Sequence, residues 1–323
     1  MSVPTNWWIY FNLFVVVLLV LDLAVLNRRA HVISIKEAIV LSIFWVVVAL
    51  AFNAFLYFVW PDPAPHARST AAWNFLTGYI IERALSIDNI FVFVVLFGYF
   101  KVPAEHQHGV LFWGIIGAMV FRAIFIFAGA SLINHFHWAI YVFGAFLIFT
   151  GIKMAFSSGT EVHPERNPVL RVARKVLPLT HHYVGGKFFV KEAGKLLATP
   201  MLIVLIMVET TDLVFAIDSI PAILGITRDT FVVYSSNIFA IFGLRALYFV
   251  LAGAMDLFHY LNYGLSAVLV FVGVKMLLEA FDIVIGTKTS LGIVAGLLAF
   301  AIIASLLNPK KPEIAEDKVD ILP

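Results

Sequence analysis

The sequence contains no cysteine. The chain therefore forms no disulfide, offers no thiolate to a metal ion and has no thiol chemistry of its own. Charged residues are also scarce, at 13% of the 323 residues, whereas soluble domains carry about 25%. Apolar residues make up 62%. This composition indicates a polytopic membrane protein, for which we expect a lipid bilayer as the surroundings and no nucleic acid as a partner.

Nine segments are apolar and long enough to cross a bilayer, which takes about 20 residues each. They lie at about 7–26, 37–60, 72–100, 109–132, 138–156, 199–224, 231–254, 262–281 and 289–307. The first segment lacks a basic region before it and a small-residue cleavage site after it, so we interpret it as a retained anchor. The predicted fold is an all-α polytopic membrane protein.

The distribution of Lys and Arg predicts the orientation. Outside the spans, only Arg68, Arg228 and Lys288 fall on the side opposite to the basic loops. Because cytoplasmic loops carry the excess of Lys and Arg, we expect an inner-membrane protein with its N-terminus outside and its C-terminus in the cytoplasm. The charged, proline-containing tail after Asn308 is expected to be disordered.

The chain repeats itself on either side of a polar loop. ERALSIDN at 82–89 aligns with DLVFAIDS at 212–219, and VFRAIFIFAGA at 120–130 aligns with GLRALYFVLAGA at 243–254. A third pair of segments, 135–154 and 257–276, is also similar. Each unit has three helices, an odd number, so the second unit must be inverted in the membrane, which is typical of transporters.

The repeat divides the chain into five parts. These are two N-terminal helices at 1–71, a first repeat at 72–156, a cytoplasmic loop at 157–198, a second repeat at 199–281, and a last helix with its tail at 282–323. Within the loop, KFFVKEAGKLLAT predicts a short hairpin or a surface helix.

Acidic residues interrupt the first helix of both repeats at matching places. A charged residue at the centre of a bilayer helix costs about 2.5–3.5 kcal/mol on insertion scales, and such residues commonly mark ion pathways. Glu82 matches Asp212 and Asp88 matches Asp218. We predict a cation site built from the oxygens of Glu82, Asp88, Asn89, Glu209, Asp212, Asp218 and Ser219.

Helical geometry restricts how these residues can meet. Glu209 and Asp212 share one face of a regular helix, but Asp218 lies about half a circle from Glu209. Pro221 has no N–H and leaves the carbonyl of Ile217 without its helical partner. We therefore expect a helix break there, which would turn Asp218 and the Ile217 carbonyl towards a cavity.

The predicted site offers oxygen ligands, because all ten His fall in loops or at segment ends. Such a site suits Mn²⁺, Mg²⁺ or Ca²⁺, and Met207 could add one soft ligand that favours Mn²⁺. The metal would be a transported substrate, and no prosthetic group is predicted.

The arginines at matching positions of the second helices, Arg122 and Arg245, are expected to position the acids. A purely structural alternative is that carboxylates and arginines only neutralise each other in the bundle. Five acids against three intramembrane arginines, Arg83 included, leave two negative charges if all are ionised, and a buried ion without a partner costs several kcal/mol. A bound cation or protons would remove that cost.

At these residues the sequence resembles the TerC family of integral membrane proteins, and its Alx-type members in particular. The resemblance is carried by GYIIERALSIDNIFVF (78–93), FGAFLIFTGIKM (143–154), ATPMLIVLIMVETTDLVFAIDSIPAI (198–223), SSNIFAIFGLRALYF (235–249) and YGLSAVLVFVGVKML (263–277). It implies about nine helices of the LysE-type transporter superfamily and a link to manganese efflux and tellurium resistance. It also implies cytoplasmic stress proteins and the protein-export machinery as partners.

Three functions compete at this point. The first is export of a hard divalent cation, Mn²⁺ before others, with protons as the counter-ion. The second is a membrane scaffold, related to tellurium or redox stress, that docks cytoplasmic partners through the 157–198 loop. The third is an intramembrane aspartyl protease using Asp88 and Asp218. Three further acids near that pair and the lack of a GxGD element argue against it, so we expect no enzyme.

Overall fold

The computed structural model describes most of the chain. The described residues are 3–24, 34–62, 64, 66–136, 138–156, 168–180, 182–192, 194–252, 260–279, 281 and 283–308. The charged tail after Asn308, which was predicted to be disordered, and the first part of the 157–198 loop lie outside these residues.

Helices make up nearly all of the described structure. The first five are α1 (Thr5–Ala24), α2 (Ile35–Val59), α3 (Ala67–Tyr99), α4 (Ala104–His135) and α5 (Trp138–Phe156). A short helix and a hairpin follow, α6 (Pro168–Val176), β1 (Phe189–Glu192) and β2 (Lys195–Ala198). The chain continues with α7 (Pro200–Leu224), α8 (Thr230–Phe242), α9 (Leu244–Leu251), α10 (Leu261–Glu279) and α11 (Thr287–Leu307).

Local sequence signals explain several helix starts. Ser34 caps α2 by accepting a hydrogen bond from the N–H of Glu37 at 3.3 Å, in the S-x-x-E pattern of a capping box. Asp229 caps α8 by accepting from the N–H groups of Phe231 and Val232. Pro200 occupies the first position of α7, where its missing N–H breaks no helical bond.

The count of membrane-spanning helices differs from the predicted nine. Among the described residues, seven helices are long and apolar enough to cross a bilayer, or eight if α8 and α9 together form one span. The predicted span at 72–100 corresponds to α3, which at 33 residues is long enough to cross a bilayer but is not apolar enough to be counted. Glu82, Arg83 and Asp88 interrupt its apolar sequence.

The two similar halves of the chain contact each other reciprocally. The first helix of each half packs chiefly on the second helix of the other: α3 lies on α8, and α4 lies on α7. The third helices, α5 and α10, pack closely along small residues. A Cβ added to Gly273 would come within 2.6 Å of the carbonyl oxygen of Gly144, and the hydroxyl of Ser266 donates to the carbonyl of Gly151.

These contacts pair matching positions crosswise. In the sequence repeat Gly144 matches Ser266 and Gly151 matches Gly273. The structure joins Gly144 to Gly273 and Gly151 to Ser266. Because the α5 numbers rise as the α10 numbers fall, the two helices run antiparallel, with the same surface of each facing the other.

The predicted helix break at Pro221 is wrong. Helix α7 runs without interruption from Pro200 to Leu224, and Pro221 lies in its last turn. So close to the end, the proline removes one helical hydrogen bond, and the turn is still closed by the bond from the Gly225 N–H to the Pro221 carbonyl at 2.9 Å. The side chain of Ile217 is 44% exposed on the outer face of the bundle.

A break occurs elsewhere, at Gly243 between α8 and α9. The two helices are bent by 43° at this residue. The guanidinium of Arg83 occupies the space that a side chain at position 243 would need, and its Nη1 donates to the Ala240 carbonyl at 2.9 Å. Arg83 thus satisfies a carbonyl next to the break, while the matching helix of the first half, α4, is continuous.

The polar loop carries its own structure at one end of the bundle. Strands β1 and β2 form a two-stranded antiparallel hairpin, which is one of the two forms predicted for that segment. The loop lies near the C-terminal end of α3, since the Tyr183 hydroxyl donates to the Phe100 carbonyl at 2.6 Å. At the opposite end, α1 and α2 pack on α8 through an aromatic cluster that includes Phe11, Phe52 and Phe239.

Substituting Gly273 with Val should destabilise the protein. The added side chain would meet the α5 backbone at Gly144, and overpacking of this kind costs about 1–3 kcal/mol. Gly296→Val in α11 is the matched control, because no atom lies within 4 Å of a Cβ added there. Thermal unfolding in detergent should show a clear loss of melting temperature for Gly273→Val alone, and equal melting temperatures would contradict the packing described.

Candidate functional site

Three helices bring acidic and basic side chains together in the middle of the bundle. Arg122 of α4 is 2% exposed and lies between Glu82 of α3 and Asp212 of α7. Its Nη1 contacts Oε1 of Glu82, and its Nη2 lies 3.1 Å from Oδ1 of Asp212. Its Nε also donates to Oδ2 of Asp212 at 3.4 Å. One guanidinium thus holds an acid from the matching position of each half.

Two neutral oxygens complete the surroundings of Arg122. Its Nη1 donates to Oδ1 of Asn237 at 3.2 Å and to the hydroxyl of Ser219 at 3.5 Å. Ser219 and Asp212 are seven residues apart on α7, which is almost two full turns, so both face α4. We refer to Glu82, Arg122, Asp212, Ser219 and Asn237 as the Arg122 cluster.

The Arg122 cluster carries an excess of negative charge. Two carboxylates and one guanidinium give a net charge of −1 if all are ionised. Glu82 is 0% exposed and Asp212 is 5% exposed. Removing a charge from water costs several kcal/mol, which the attraction between opposite charges offsets when the pair is well made. Arg122 offsets this cost for both acids, and one negative charge remains without a match.

Glu209 lies beside the cluster. Its carboxylate fills the space that a side chain at Gly117 would need, so this glycine lets the acid reach α4. Oε2 of Glu209 is buried and has no hydrogen-bond partner among the described residues. Asp212 is close enough for the two negative charges to interact. A third acid therefore lies beside the cluster, and it adds to the excess of negative charge when it is ionised.

Arg245 is placed differently from its match, Arg122. Its Nη2 donates to Oδ1 of Asp22 in α1 at 2.6 Å, and both side chains are buried. Arg245 was expected to position the acids of the site, but its described partner, Asp22, belongs to the N-terminal helix and is none of the five acids that were singled out. Nη1 of Arg245 is buried without a hydrogen-bond partner among the described residues.

The remaining predicted site residues do not join the cluster through any contact described. Asp218 is half-buried and lies against α5, near the hydroxyl of Thr150 and the ammonium group of Lys153. Asn89 is 2% exposed on α3, seven residues beyond Glu82 and on nearly the same face. The side chain of Asp88 lies outside the described part of the structure.

The described residues contain no group of three or more His, Asp or Glu side chains placed to hold a metal ion. In this arrangement, the two acids at matching positions are held by a guanidinium. A cation that is to bind them has to take the place of Arg122.

Sequence reasoning missed three residues that shape the site. Asn237 lies inside a segment that carried the family resemblance, but no charge drew attention to it. Gly117 is indistinguishable in the sequence from other helical glycines. Asp22 could have been found, because it is a lone acid within an apolar span, which is the same signal that identified the other acids.

A profile of the integral membrane protein TerC family matches residues 67–313. The chain belongs to the TerC family. The match includes both similar halves and the whole Arg122 cluster, but it begins after α1 and α2. Asp22, the partner of Arg245, is thus supplied from outside the matched region. The resemblance inferred from the sequence is confirmed.

Individual relatives match over nearly the whole chain. An uncharacterized membrane protein of Myxococcus xanthus is 49% identical over 304 residues, covering 94% of this chain and 92% of the relative. Proteins of Salmonella typhi and Escherichia coli K12, named as proposed membrane-bound redox modulators Alx, are 47% and 46% identical and cover 92% of both chains. These TerC proteins are named as membrane modulators and not as enzymes, in agreement with the expectation of no enzyme. No solved structure matches the chain.

Removing the Arg122 guanidinium should destabilise this TerC protein strongly. Arg122→Gln leaves Glu82 and Asp212 buried without a counter-charge, and breaking a buried pair in this way costs about 3–5 kcal/mol. Adding Glu82→Gln and Asp212→Asn to Arg122→Gln should restore most of the melting temperature, because the two carboxylates that Arg122 holds are then neutral as well. An Arg122→Gln variant that melts with the wild type would contradict the pairing described.

Proposed function

We propose that this TerC-family protein exports a hard divalent cation, Mn²⁺ in the first place, and that Glu82 and Asp212 bind it. The observation that carries the proposal is the Arg122 cluster itself. A buried site that gathers one acid from each of two similar halves, with a third acid beside it, has more negative charge than its arginine balances. An excess of buried negative charge attracts a cation or protons.

Arg122 acts in this proposal as a counter-ion for the unloaded state. Its guanidinium neutralises Glu82 and Asp212 when no metal is bound, so the site can remain closed inside the bilayer. When a divalent cation arrives, its two positive charges replace the single charge of the guanidinium at these acids. Asn237 and Ser219 already accept hydrogen bonds from Arg122 and can hold the displaced guanidinium.

The arrangement of the helices supports a transporter built from inverted repeats. The crosswise, antiparallel contact of α5 with α10 is what a two-fold axis in the membrane plane would produce. The packing of α3 on α8 and of α4 on α7 agrees with the same two-fold axis. Counting α3 as a span, together with the bent pair α8–α9, gives the proposed nine. We place the N-terminus outside and the C-terminus in the cytoplasm of the inner membrane, from the distribution of Lys and Arg.

The metal preference follows from the ligand atoms. Glu82 and Asp212, with Glu209 beside them, offer carboxylate oxygens to the metal. Zn²⁺ and Cu⁺ prefer imidazole or sulfur, whereas Mn²⁺ and Mg²⁺ accept oxygen. Mg²⁺ loses its water reluctantly, so a buried site favours Mn²⁺. Asp88, Asn89 and Asp218 stay sequence predictions as ligands, and the Ile217 carbonyl is no longer proposed as one.

The names of the relatives suggest a second function, redox modulation at the membrane. This chain has no cysteine, so such a role would depend on partner proteins docking at the 157–198 loop or on the metal that the protein moves. Exchanging the described hairpin for an unrelated loop would abolish a docking function and leave transport largely intact.

Purified protein in liposomes should move Mn²⁺, and loss of either central acid should stop it. Glu82→Gln and Asp212→Asn should each lower the initial rate at least about tenfold, which equals about 1.4 kcal/mol of lost stabilisation. Glu105→Gln is the matched control, because this acid is exposed and remote from the cluster. Comparable rates for Zn²⁺ and Mn²⁺, or full activity of both acid variants, would reject the proposal.

The rate of Mn²⁺ transport should rise when the pH is raised equally on both sides of the membrane. Protons and Mn²⁺ compete for the same carboxylates, so acid conditions keep part of the sites protonated. Cells that depend on this protein should therefore gain more manganese tolerance at alkaline than at acidic pH. The double variant Glu82→Gln and Asp212→Asn, which should not transport, provides the baseline. A tolerance that does not change with pH after this baseline is subtracted would argue against carboxylate ligands.

A further inference from the structure

A short helix at the loop end of the bundle has an apolar stripe that is exposed. Helix α6 has nine residues, which is too few to cross a bilayer. Its Leu170 is buried in a cluster that also contains Val102, just before α4, and Met201, in the first turn of α7. Because α6 packs on α7, which is one of the candidate spans, it lies at the level where the spans leave the bilayer.

Three valines form the stripe. Val169, Val172 and Val176 are 42%, 59% and 71% exposed. At 100° per residue they fall within about 60° of one another, and they lie about 100° around the helix from the buried Leu170 and Ala173. Since apolar surface is transferred favourably from water to an apolar environment, the stripe fits an apolar surface other than the bundle.

The third side of α6 is basic. Arg171 and Lys175 are exposed and lie about 110° from the valine stripe, on the side away from the buried face. The helix contains no acidic residue, and the segment 168–198 has six Lys or Arg against one Glu. A helix of low overall hydrophobicity, with an apolar stripe on one side and Lys or Arg on another, is typical of helices that lie in a membrane surface.

The hairpin that follows α6 offers the same chemistry. Phe189 and Leu196 are exposed, and Leu196 is the cross-strand partner of Lys191. Residues two apart on a strand share a face, and so do cross-strand partners, so these three side chains lie on one face of the hairpin. Both elements fit a surface that is apolar and negatively charged, which is the headgroup region of anionic phospholipids.

We propose that α6 lies in the bilayer surface, where Arg171 and Lys175 bind the phosphate groups of anionic phospholipids and Val172 and Val176 contact the acyl chains. The long stems of Arg and Lys let their charges reach the headgroups while the valines are buried. The proposal does not rest on the transport function. In the proposed orientation the surface is that of the cytoplasmic leaflet, whose anionic lipids attract basic segments.

The absence of cysteine allows α6 to be labelled at one place. Val172→Cys supplies the only thiol of the chain, and an NBD dye can be attached to it. Phospholipids that carry a nitroxide near the headgroup end of an acyl chain should quench this dye. We expect the quenching in nanodiscs made of an equal mixture of phosphatidylcholine and phosphatidylglycerol, and at least about threefold less of it in phosphatidylcholine alone.

Two pairs of substitutions assign the effect to the charges of α6. In the labelled protein, Arg171→Gln with Lys175→Gln should lower the quenching in mixed nanodiscs to the level seen in phosphatidylcholine alone. Arg171→Lys with Lys175→Arg keeps both charges and should keep the quenching. Arg68→Gln with Lys288→Gln removes two exposed charges at the opposite end of the bundle and should leave the signal unchanged. Melting temperatures check that each variant is folded.

The outcomes decide between a lipid and a protein partner for α6. Quenching that needs both phosphatidylglycerol and the two basic residues supports the proposal, whether or not the protein moves Mn²⁺. A dye that acrylamide in the water quenches and lipid nitroxides do not would overturn it, in favour of a surface for a cytoplasmic protein. Equal quenching in both lipids, or quenching that survives Arg171→Gln with Lys175→Gln, would also overturn it. The comparison of the two lipids leaves the basic residues in place, so it remains decisive even where a charge variant fails to fold.

Discussion

A charge inside a bilayer needs a partner, and the centre of this protein is arranged around that requirement. Arg122 is almost completely enclosed, and it contacts one acid from α3 and one from α7. These contacts connect the two similar halves at their matching positions. The close packing of α4 on α7, with Glu209 against Gly117, brings a third acid to the same place. The helix packing that joins the two halves therefore also concentrates the acids around Arg122.

The two halves are alike in sequence but differ in shape. Arg122 holds both central acids, whereas Arg245 is paired with Asp22 of α1. The difference is accompanied by the bend at Gly243, where Arg83 takes the space of a side chain and bonds to the Ala240 carbonyl. In transporters built from inverted repeats, access alternates when one repeat moves against the other around a fixed site. Asp22, which lies outside the region matched by the TerC profile, gives Arg245 a counter-charge while it is away from the central acids.

The membrane class, the family and the existence of the helices could be predicted from the sequence, because hydropathy and repeats depend on local composition. The matching of Glu82 with Asp212 and of Arg122 with Arg245 was also visible there. Which arginine would hold which acid was not, since that depends on how the helices pack. Asp218 shows where the prediction failed. The sequence placed it about half a circle around the helix from Glu209, and a helix break at Pro221 was expected to turn it towards the cavity. A proline in the last turn leaves α7 unbroken, and Asp218 lies against α5.

The most direct test of this account is whether Mn²⁺ and the Arg122 guanidinium compete for the same two acids. Melting temperatures of the wild type and of Arg122→Gln should be measured over a range of Mn²⁺ concentrations, since a ligand stabilises the folded state by RT ln(1 + [L]/Kd). We predict that Mn²⁺ stabilises Arg122→Gln at concentrations about tenfold or more below those needed for the wild type, a difference of about 1.4 kcal/mol. This gain should vanish when Glu82→Gln and Asp212→Asn are added. An equal response of the wild type and Arg122→Gln to Mn²⁺, or a gain that survives loss of both acids, would contradict the central claim.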